Sequence, residues 1–294
     1  MKVVRIIVLA VCVCFLLIGC GNRSKDTIIV GTKDFPEQYI LGNILMLLIE
    51  EHTDINAIIK GNMASHVIFA AVGTGDIDVY VDYTGTIYSY YLRQSESKTA
   101  EEIHDFVTRE MARQYDLRVL GLLGFNNTFC LAVRSEVAAN YSLRTISDLA
   151  EVSSTMIFGG STEILNRNDG IPGLKRAYNM SFKEERAIHD NERYQAILVG
   201  DIQVAEVFST DGFIRELDLV VLEDDKNFFP PYNGVVVIRN EILEKHPELL
   251  GVLSMLEGVL TDEVMRNLNF RADVLEESPR HVAESFLREA GLIK

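Results

Sequence analysis

The residues best suited to chemistry lie in the segment Asp76–Tyr91, which contains five of the eleven tyrosines of the chain. Apolar residues alternate with polar ones in its first part, which predicts a half-buried edge strand ending near Asp82. The sequence Tyr83-Thr84-Gly85-Thr86 then predicts a corner where a helix begins. Because α/β proteins bind ligands at the carboxyl ends of strands, this corner is a candidate site. Aromatic faces attract cations, so the site favours a ligand such as a quaternary ammonium compound.

The other tyrosines of this segment have a simpler explanation. Tyr88, Tyr90 and Tyr91 follow the corner, and we expect these rings to pack a helix rather than contact a ligand. Tyr83 lies at the corner itself and is the candidate binding residue.

Other kinds of chemistry have little support in the sequence. The six histidines are scattered, and no two have the spacing of zinc ligands. No nucleophile elbow or Ser/His/Asp grouping can be assembled, and the turn Gly73-Thr74-Gly75 lacks the lysine of a phosphate-binding loop. We therefore predict a protein without metal, cofactor or enzymatic activity.

The charge of the chain restricts its partners. Its formal net charge is −15 at pH 7, whereas nucleic acids require a basic surface. We therefore exclude nucleic acid as a partner. The acidity mildly favours a cationic ligand over an anionic one.

The N-terminus has the features of a secretory signal. A short basic start is followed by the apolar run Ile6–Ile18, which is shorter than the roughly 20 residues of a membrane span. Leu17-Ile18-Gly19-Cys20 resembles the lipobox of bacterial lipoproteins, in which the cysteine carries the lipid. We predict a signal peptide over 1–19, lipidation at Cys20 and a tether over 20–26. A retained N-terminal membrane anchor is the alternative.

Strands and helices alternate along the rest of the chain. The order β-α-β-α-β near the start predicts a mainly parallel sheet with right-handed crossovers. The pattern then repeats, and a last strand near Val235–Ile238 is followed by helices to the end. The sequence therefore predicts two α/β halves, with the final part returning to the first.

Six segments in order resemble one protein family, the substrate-binding proteins of osmoprotectant ABC importers. That family takes up glycine betaine, proline betaine, choline or carnitine. The segments cover nearly the whole chain after the signal: VGTKDFPEQYILG (30–42), GDIDVYVDYTGT (75–86), LGFNNTFCLAVR (123–134), TEILNRNDGIPGLKRAY (162–178), VAEVFSTDG (204–212) and VVLEDDKNFFPPYNGVVVIR (220–239).

The resemblance implies a two-lobed α/β fold like that of type II periplasmic binding proteins, with a ligand cleft between the lobes. The first lobe would comprise 27–126 together with 235–294, and the second lobe 127–234. Two crossover strands would join the lobes, near Asn127–Arg134 and Tyr232–Ile238.

The resemblance also implies the site residues. Rings around the ligand's ammonium group would be Tyr83, Phe129, Phe208 and Tyr232, and Lys33 and Arg167 would bind its carboxylate. Thr86 and Asn127 would add hydrogen bonds, and Glu163 would orient Arg167 or face the cation. Two of the four rings are Phe where relatives often carry Tyr, which leaves the ligand open. The alternative is a receptor for another cationic or zwitterionic solute, such as ergothioneine or an amino acid.

The partners implied are an ABC permease and its ATPase, and the membrane through the lipid anchor. We expect a monomer in the cell envelope, outside the cytoplasm. An enzyme on the same scaffold would need an acid/base pair in the cleft, where only Glu163 and Asp82 are available without a nucleophile. A sensory domain is the third alternative.

Overall fold

The computed structural model describes residues 26–189 and 192–294, except for the side chain of Arg215. The predicted signal peptide, Cys20 and the tether up to residue 25 lie outside the described residues. The strands are β1 Thr27–Lys33, β2 Asn56–Met63, β3 Val79–Tyr83, β4 Leu117–Asn126, β5 Phe129–Arg134, β6 Ile157–Gly160, β7 Glu184–Ala187, β8 Val204–Phe208, β9 Leu219–Val221 and β10 Asn233–Arg239. The α-helices are α1 Pro36–His52, α2 Ser65–Thr74, α3 Ala100–Tyr115, α4 Ser135–Tyr141, α5 Ile146–Val152, α6 Thr162–Asn166, α7 Ile171–Tyr178, α8 Glu192–Val199, α9 Phe213–Glu216, α10 Asn240–Lys245, α11 Glu248–Ser254, α12 Asp262–Asp273 and α13 Pro279–Glu289.

Five strands form the first sheet, in the order β2-β1-β3-β10-β4. The predicted parallel pairing of the first three strands is confirmed, because β1 runs parallel to both β2 and β3. β10 runs antiparallel to β3 and β4, so the sheet is mixed. The late strand β10 thus lies between two strands from the first half of the chain.

The expectation that β3 is a half-buried edge strand is wrong. β3 lies between β1 and β10, and all five of its residues are buried. Val79 and Val81 belong to one hydrophobic cluster, whereas Tyr80 belongs to a second cluster on the other face. The alternating pattern misled because both faces of this sheet are covered, so the polar positions Tyr80 and Asp82 are buried as well.

The second sheet contains the strands β7-β6-β8-β5-β9 in that order. β6 is parallel to β7 and β8, whereas β5 is antiparallel to β8 and β9. The chain enters this sheet between β4 and β5 and returns to the first sheet between β9 and β10. The two connections pass close together, because the backbone N–H of Asn127 donates to the carbonyl of Tyr232.

Helix α1 is the central helix of the first half. Pro36 occupies its first turn, where the missing N–H costs no hydrogen bond. The helix is buried along much of its length, and the C-terminal helices α11, α12 and α13 pack against it. Among the residues that the structure describes, no helix combines the length and the apolar character needed to cross a membrane.

Candidate functional site

A cavity of about 380 Å³ lies where the carboxyl ends of strands from the two sheets face each other. Strands β1, β3, β7 and β8 all end at it. Its walls include all nine residues that were predicted to bind the ligand: Lys33, Tyr83, Thr86, Asn127, Phe129, Glu163, Arg167, Phe208 and Tyr232. The fold therefore brings the whole predicted set together.

Five aromatic rings form a continuous surface in this cavity. Phe129 and Phe208 are paired residues on β5 and β8, and their ring centroids are 5.2 Å apart. Tyr232 stands edge-on to Phe129, with 5.4 Å between centroids and an interplanar angle of 83°. Phe208 stacks on Phe35 at 5.8 Å, and Phe35 in turn faces Tyr83 at 6.4 Å. The four predicted rings are thus linked through a fifth.

Phe35 is the ring that sequence reasoning missed. β1 ends at Lys33 and α1 begins at Pro36, so the connection between them is only two residues long. Phe35 has an extended backbone, with φ −159° and ψ 156°, immediately before the helix. Its ring consequently lies at the same strand end as Lys33. The signal was available, since Phe35 lies two positions after Lys33, in the same segment and the same loop at the end of a predicted strand.

Lys33 is a buried cation at the end of β1. Its Nζ donates to Oδ1 of Asp82 at 2.5 Å and lies 4.9 Å from the ring centroid of Tyr83. Asp82 also accepts the backbone N–H of Tyr83, which holds the carboxylate at the corner after β3. A lysine ammonium has three donors, and Asp82 is the partner of one of them. Lys33 can therefore contact a second acceptor from within this ion pair.

Arg167 is held by carboxylates and rings together. Its Nε and Nη2 both donate to Asp169, at 2.9 and 2.5 Å, and its Nη1 donates to Glu163 at 2.7 Å. The guanidinium also lies 4.7 Å from the ring centroid of Tyr90 and 5.3 Å from that of Phe129. Burial would lower the pKa of Arg167, but the hydrogen bonding to Asp169 and the electrostatic effects of Tyr232, Asp169 and Glu163 together raise the pKa above its usual value. Three of its five N–H donors have these partners, which leaves two for another acceptor.

Glu163 connects the two halves across the cavity. Its carboxylate accepts the hydroxyl of Ser65, at 2.8 and 3.0 Å, as well as the Nη1 of Arg167. Ser65 begins α2 beside the first sheet, whereas Glu163 lies on α6 beside the second. Burial favours the neutral carboxyl, yet the charges of Arg167 and Lys33 lower the pKa of Glu163 overall. The contact with Arg167 fits the expectation that Glu163 orients this guanidinium.

The two predicted hydrogen-bonding residues differ in their surroundings. Thr86 is buried in the cavity wall at the start of the π-helix Thr86–Tyr91. Asn127 is also buried, but its side-chain N–H donates to Oε1 of Glu37 at 2.7 Å. Its Oδ1 has no hydrogen-bond partner among the described residues. Asn127 can therefore accept a hydrogen bond more readily than it can donate one.

Sequence reasoning also missed Arg193, in the first turn of α8. This residue is 4% exposed and lines the cavity. Its Nη1 and Nη2 lie 3.9 Å from Glu206 and 3.8 Å from Asp211, and its guanidinium is 5.6 Å from the ring centroid of Phe208. No motif marks Arg193, because only the packing of α8 against β8 brings it to the site.

Asp34 and His189 face each other at the edge of the cavity, with 3.5 Å between Oδ2 and Nε2. Within the described ranges 26–189 and 192–294, no group of three or more His, Cys, Asp or Glu side chains is arranged to hold a metal ion. The arrangement is suited to binding a small molecule with a cationic and an anionic end.

Comparison with known proteins gives a consistent result. The model of one family, described as the substrate binding domain of ABC-type glycine betaine transport systems, matches residues 26–289. The chain is 39% identical over 277 residues to the Helicobacter pylori ergothioneine transport permease/ergothioneine binding protein EgtU. That match covers 94% of this chain but only 50% of the relative, so the chain spans about half of the relative's length. The carnitine transport binding protein OpuCC of Listeria monocytogenes is 34% identical, over 92% of this chain and 89% of the relative.

Solved structures show the same similarity. A crystal structure described as a glycine betaine/carnitine/choline ABC transporter superposes with a TM-score of 0.75 at 32% identity, covering 91% of this chain and all of the other. The closed, liganded lactococcal OpuAC superposes with a TM-score of 0.64 at 14% identity, covering 92% of this chain and all of the other, and shows likeness of fold alone.

Proposed function

Because this chain belongs to the family of substrate-binding domains of ABC-type glycine betaine transport systems, we propose that it binds a small quaternary ammonium compound and delivers it to an ABC permease. The resemblance drawn from the six sequence segments is confirmed by the family match, and the two-lobed α/β fold by the structural neighbours. One observation carries the proposal: five rings and three buried cations line a single cavity. The ligands meant are glycine betaine, proline betaine, choline and carnitine.

The aromatic surface is suited to the ligand's cationic end. A trimethylammonium group has no N–H to donate, so hydrogen-bonding groups cannot hold it well. Ring faces attract it instead, and each desolvated face contributes about 0.5–2 kcal/mol. The cation would lie against Tyr83, Phe129, Phe208 and Tyr232, with Phe35 extending the surface.

The cationic side chains are suited to the ligand's carboxylate. Arg167 has two N–H donors beyond its bonds to Asp169 and Glu163, and its guanidinium orientation is set by those bonds. Lys33 supplies a second charge, and Thr86 a hydroxyl in the same wall. Charge-assisted hydrogen bonds of this kind are stronger than neutral ones. A zwitterion is therefore bound at both ends, whereas choline would use only the rings.

Two lobes are proposed to close over the ligand. We place the first lobe at 27–126 with 235–294, and the second at 127–234. The chain leaves the first sheet after β4, which ends at Asn126, and is back in it at β10, which begins at Asn233. The bond from Ser65 to Glu163 joins the two sides directly over the cavity. A permease and its ATPase would recognise the closed form, as domain closure around a ligand can generate such a signal. The protein acts as a monomer and catalyses nothing in this scheme.

The cell envelope is the proposed location. The signal peptide over 1–19 would direct export, Cys20 would carry a lipid, and the polar tether would separate the lipid from the first strand at Thr27. Substitution of Cys20 by Ala tests this directly. We expect the variant to lose incorporation of labelled fatty acid and to leave the membrane fraction, whereas retention in the membrane would support an uncleaved anchor instead.

Ergothioneine is a second candidate ligand, and it also carries a trimethylammonium group and a carboxylate. Two observations favour it: the 39% identity to EgtU, and a cavity of about 380 Å³. A cavity of this size lies within the range of about 300–1,000 Å³ typical of sites for drug-sized ligands, so it can admit a molecule bulkier than a small betaine. Arg193 and His189 lie in the wall and could contact the additional ring.

Calorimetry tests the proposal and separates the candidates. The exported part of the chain is titrated with glycine betaine, proline betaine, choline, carnitine and ergothioneine. We expect at least one Kd in the micromolar range or below, corresponding to about −8 kcal/mol or more negative. Glycine and L-histidine are matched controls, because they lack the methylated nitrogen. Binding of these controls as tightly as the betaines, or no binding of any betaine, would exclude the proposed function.

A further inference from the structure

Glu37, in the first turn of α1, is a buried carboxylate that no cation accompanies in the described residues. It is 4% exposed. Its Oε1 accepts the hydroxyl of Tyr83 and the side-chain amide of Asn127, each at 2.7 Å. Its Oε2 accepts the hydroxyl of Thr210 at 2.6 Å and the amide of Asn269 at 2.8 Å. All four partners are neutral, so they solvate the charge without compensating it.

The other carboxylates around the cavity differ from Glu37 in this respect. Five of them pair with a cation, namely Asp82 with Lys33, Glu163 and Asp169 with Arg167, and Glu206 and Asp211 with Arg193. Of these six carboxylates, Glu37 alone has no ion-pair partner in the described part of the chain; Asp34, also in the cavity wall, is exposed and faces His189. A buried charge without a nearby opposite charge destabilises a protein unless something compensates it.

Glu37 is connected to the aromatic surface through Tyr83. The Tyr83 hydroxyl donates to Glu37 and accepts the side-chain amide of Gln38 at 3.0 Å, so two neighbouring residues of α1 set the position of its ring. Donation to a carboxylate polarises the phenol and makes the ring a better partner for a cation. The Nζ of Lys33 already lies 4.9 Å from the centroid of this ring, but Lys33 is ion-paired with Asp82. A ligand cation bound to this ring would likewise lie within about 6 Å of its centroid. Inside a protein the attraction of a carboxylate extends over such distances.

We propose that Glu37 determines the preference of the site for a cation. It is a positioning residue for Tyr83, and its charge, held at the hydroxyl end of the ring, compensates the ammonium group of the ligand. The inference rests on the proposed function of the cavity. The ring faces already favour a cation, and the carboxylate at the hydroxyl end of Tyr83 adds a full negative charge to that preference.

The test compares a cation with a neutral molecule of the same shape. Choline and 3,3-dimethyl-1-butanol, in which carbon replaces the quaternary nitrogen, are titrated into the wild type and Glu37→Gln. Ligand-detected NMR follows both, because it measures Kd values up to the millimolar range. We expect Glu37→Gln to weaken choline at least tenfold, about 1.4 kcal/mol, and the neutral alcohol less than threefold. A role in packing alone would weaken both compounds alike.

Two further variants keep the test decisive. Tyr83→Phe retains the ring but removes the hydrogen bond to Glu37, so it should weaken choline selectively by a smaller factor. It also carries the test should Glu37→Gln not fold. Glu101→Gln removes one negative charge from an exposed position in the first turn of α3 and should change neither affinity.

The outcomes separate this inference from the proposed function. If the wild type and Glu37→Gln bind choline equally well, the inference about Glu37 is overturned, but the proposed function is not. Equal weakening of choline and the neutral alcohol, in Glu37→Gln or in Tyr83→Phe, also overturns it. A wild type that binds neither choline nor glycine betaine overturns both.

Discussion

Replacement of Phe208 tests whether the aromatic surface binds the ligand or merely packs the core. Phe208 ends β8, stacks on Phe35 at an interplanar angle of 11°, and contacts Phe129 at 5.2 Å between centroids. It is half-buried and lines the cavity. Phe208→Ala removes a ring face and loosens both neighbours, whereas Phe208→Leu retains most of the volume and removes only the face. The pair of variants therefore separates attraction by the ring from packing.

The expected magnitudes follow from these contacts. One desolvated ring face contributes about 0.5–2 kcal/mol to cation binding, so Phe208→Leu should weaken glycine betaine by about 2- to 30-fold. Phe208→Ala should weaken it at least tenfold, because Phe35 and Phe129 also lose a neighbour that positions them. Each lost aromatic pair costs about 0.5–1.5 kcal/mol. The alanine variant should accordingly lose about 2–3 kcal/mol in its free energy of unfolding, less than a fully buried Phe would.

Calorimetry with glycine betaine gives the affinities, and urea unfolding gives the stabilities. Phe208→Tyr serves as the control, because it keeps the ring and should bind within about threefold of the wild type. The proposed contact between Phe208 and the ligand would be refuted if Phe208→Leu left the affinity for glycine betaine unchanged and Phe208→Ala reduced it only in proportion to the lost stability. Phe208 would then be a core residue that happens to border the cavity.

Three further results are expected. Arg167→Gln should weaken the binding of glycine betaine at least tenfold, because charge-assisted hydrogen bonds to the carboxylate are lost. The binding of choline, which has no carboxylate, should weaken less than threefold. Similar losses of affinity for both ligands in calorimetry would contradict the assignment of the carboxylate end to Arg167. Burial and nearby carboxylates raise the pKa of Cys130 to about 12, so its thiol should react with Ellman's reagent at pH 8 only after unfolding. Rapid reaction of the native protein that disappears in Cys130→Ser would contradict this expectation. Burial also raises the pKa of Glu206, so its carboxyl binds a proton more tightly in the folded protein than in the unfolded chain. The free energy of unfolding should therefore fall as pH rises above about 4.5. Glu206→Gln should reduce that slope in urea unfolding at pH 4–7, and an unchanged slope would exclude Glu206 as its source.

The order of elements and most of the site could be predicted from local sequence. Apolar runs with helical or strand periodicity predicted the β-α-β-α-β start and the late strand near Val235–Ile238, whereas β7, Glu184–Ala187, was not predicted. Lys33, Tyr83 and Phe208 each end a strand, and strand ends are where α/β proteins place ligand-binding groups. Sequence segments that resemble a family supplied the remaining positions, and the structure brings all of them to one cavity.

Other features depend on the packing of distant segments. The four partners of Glu37 include Asn269, which lies 232 positions later in the chain, and no local pattern relates them. Arg193 has no motif of its own and reaches the site only because α8 packs against β8. The burial of Asp82 contradicts its polar position in an alternating strand, since β10 enters between β3 and β4 and turns an expected edge into the centre of a sheet.

The sequence by itself thus determined which segments become strands and helices, and which residue types stand at their ends. It did so because hydrophobic periodicity and turn residues act over a few neighbouring positions. Only the tertiary structure decided which charges are compensated and which rings touch. Those properties depend on strand order and on which faces are covered, and these arise from contacts between residues far apart in the chain.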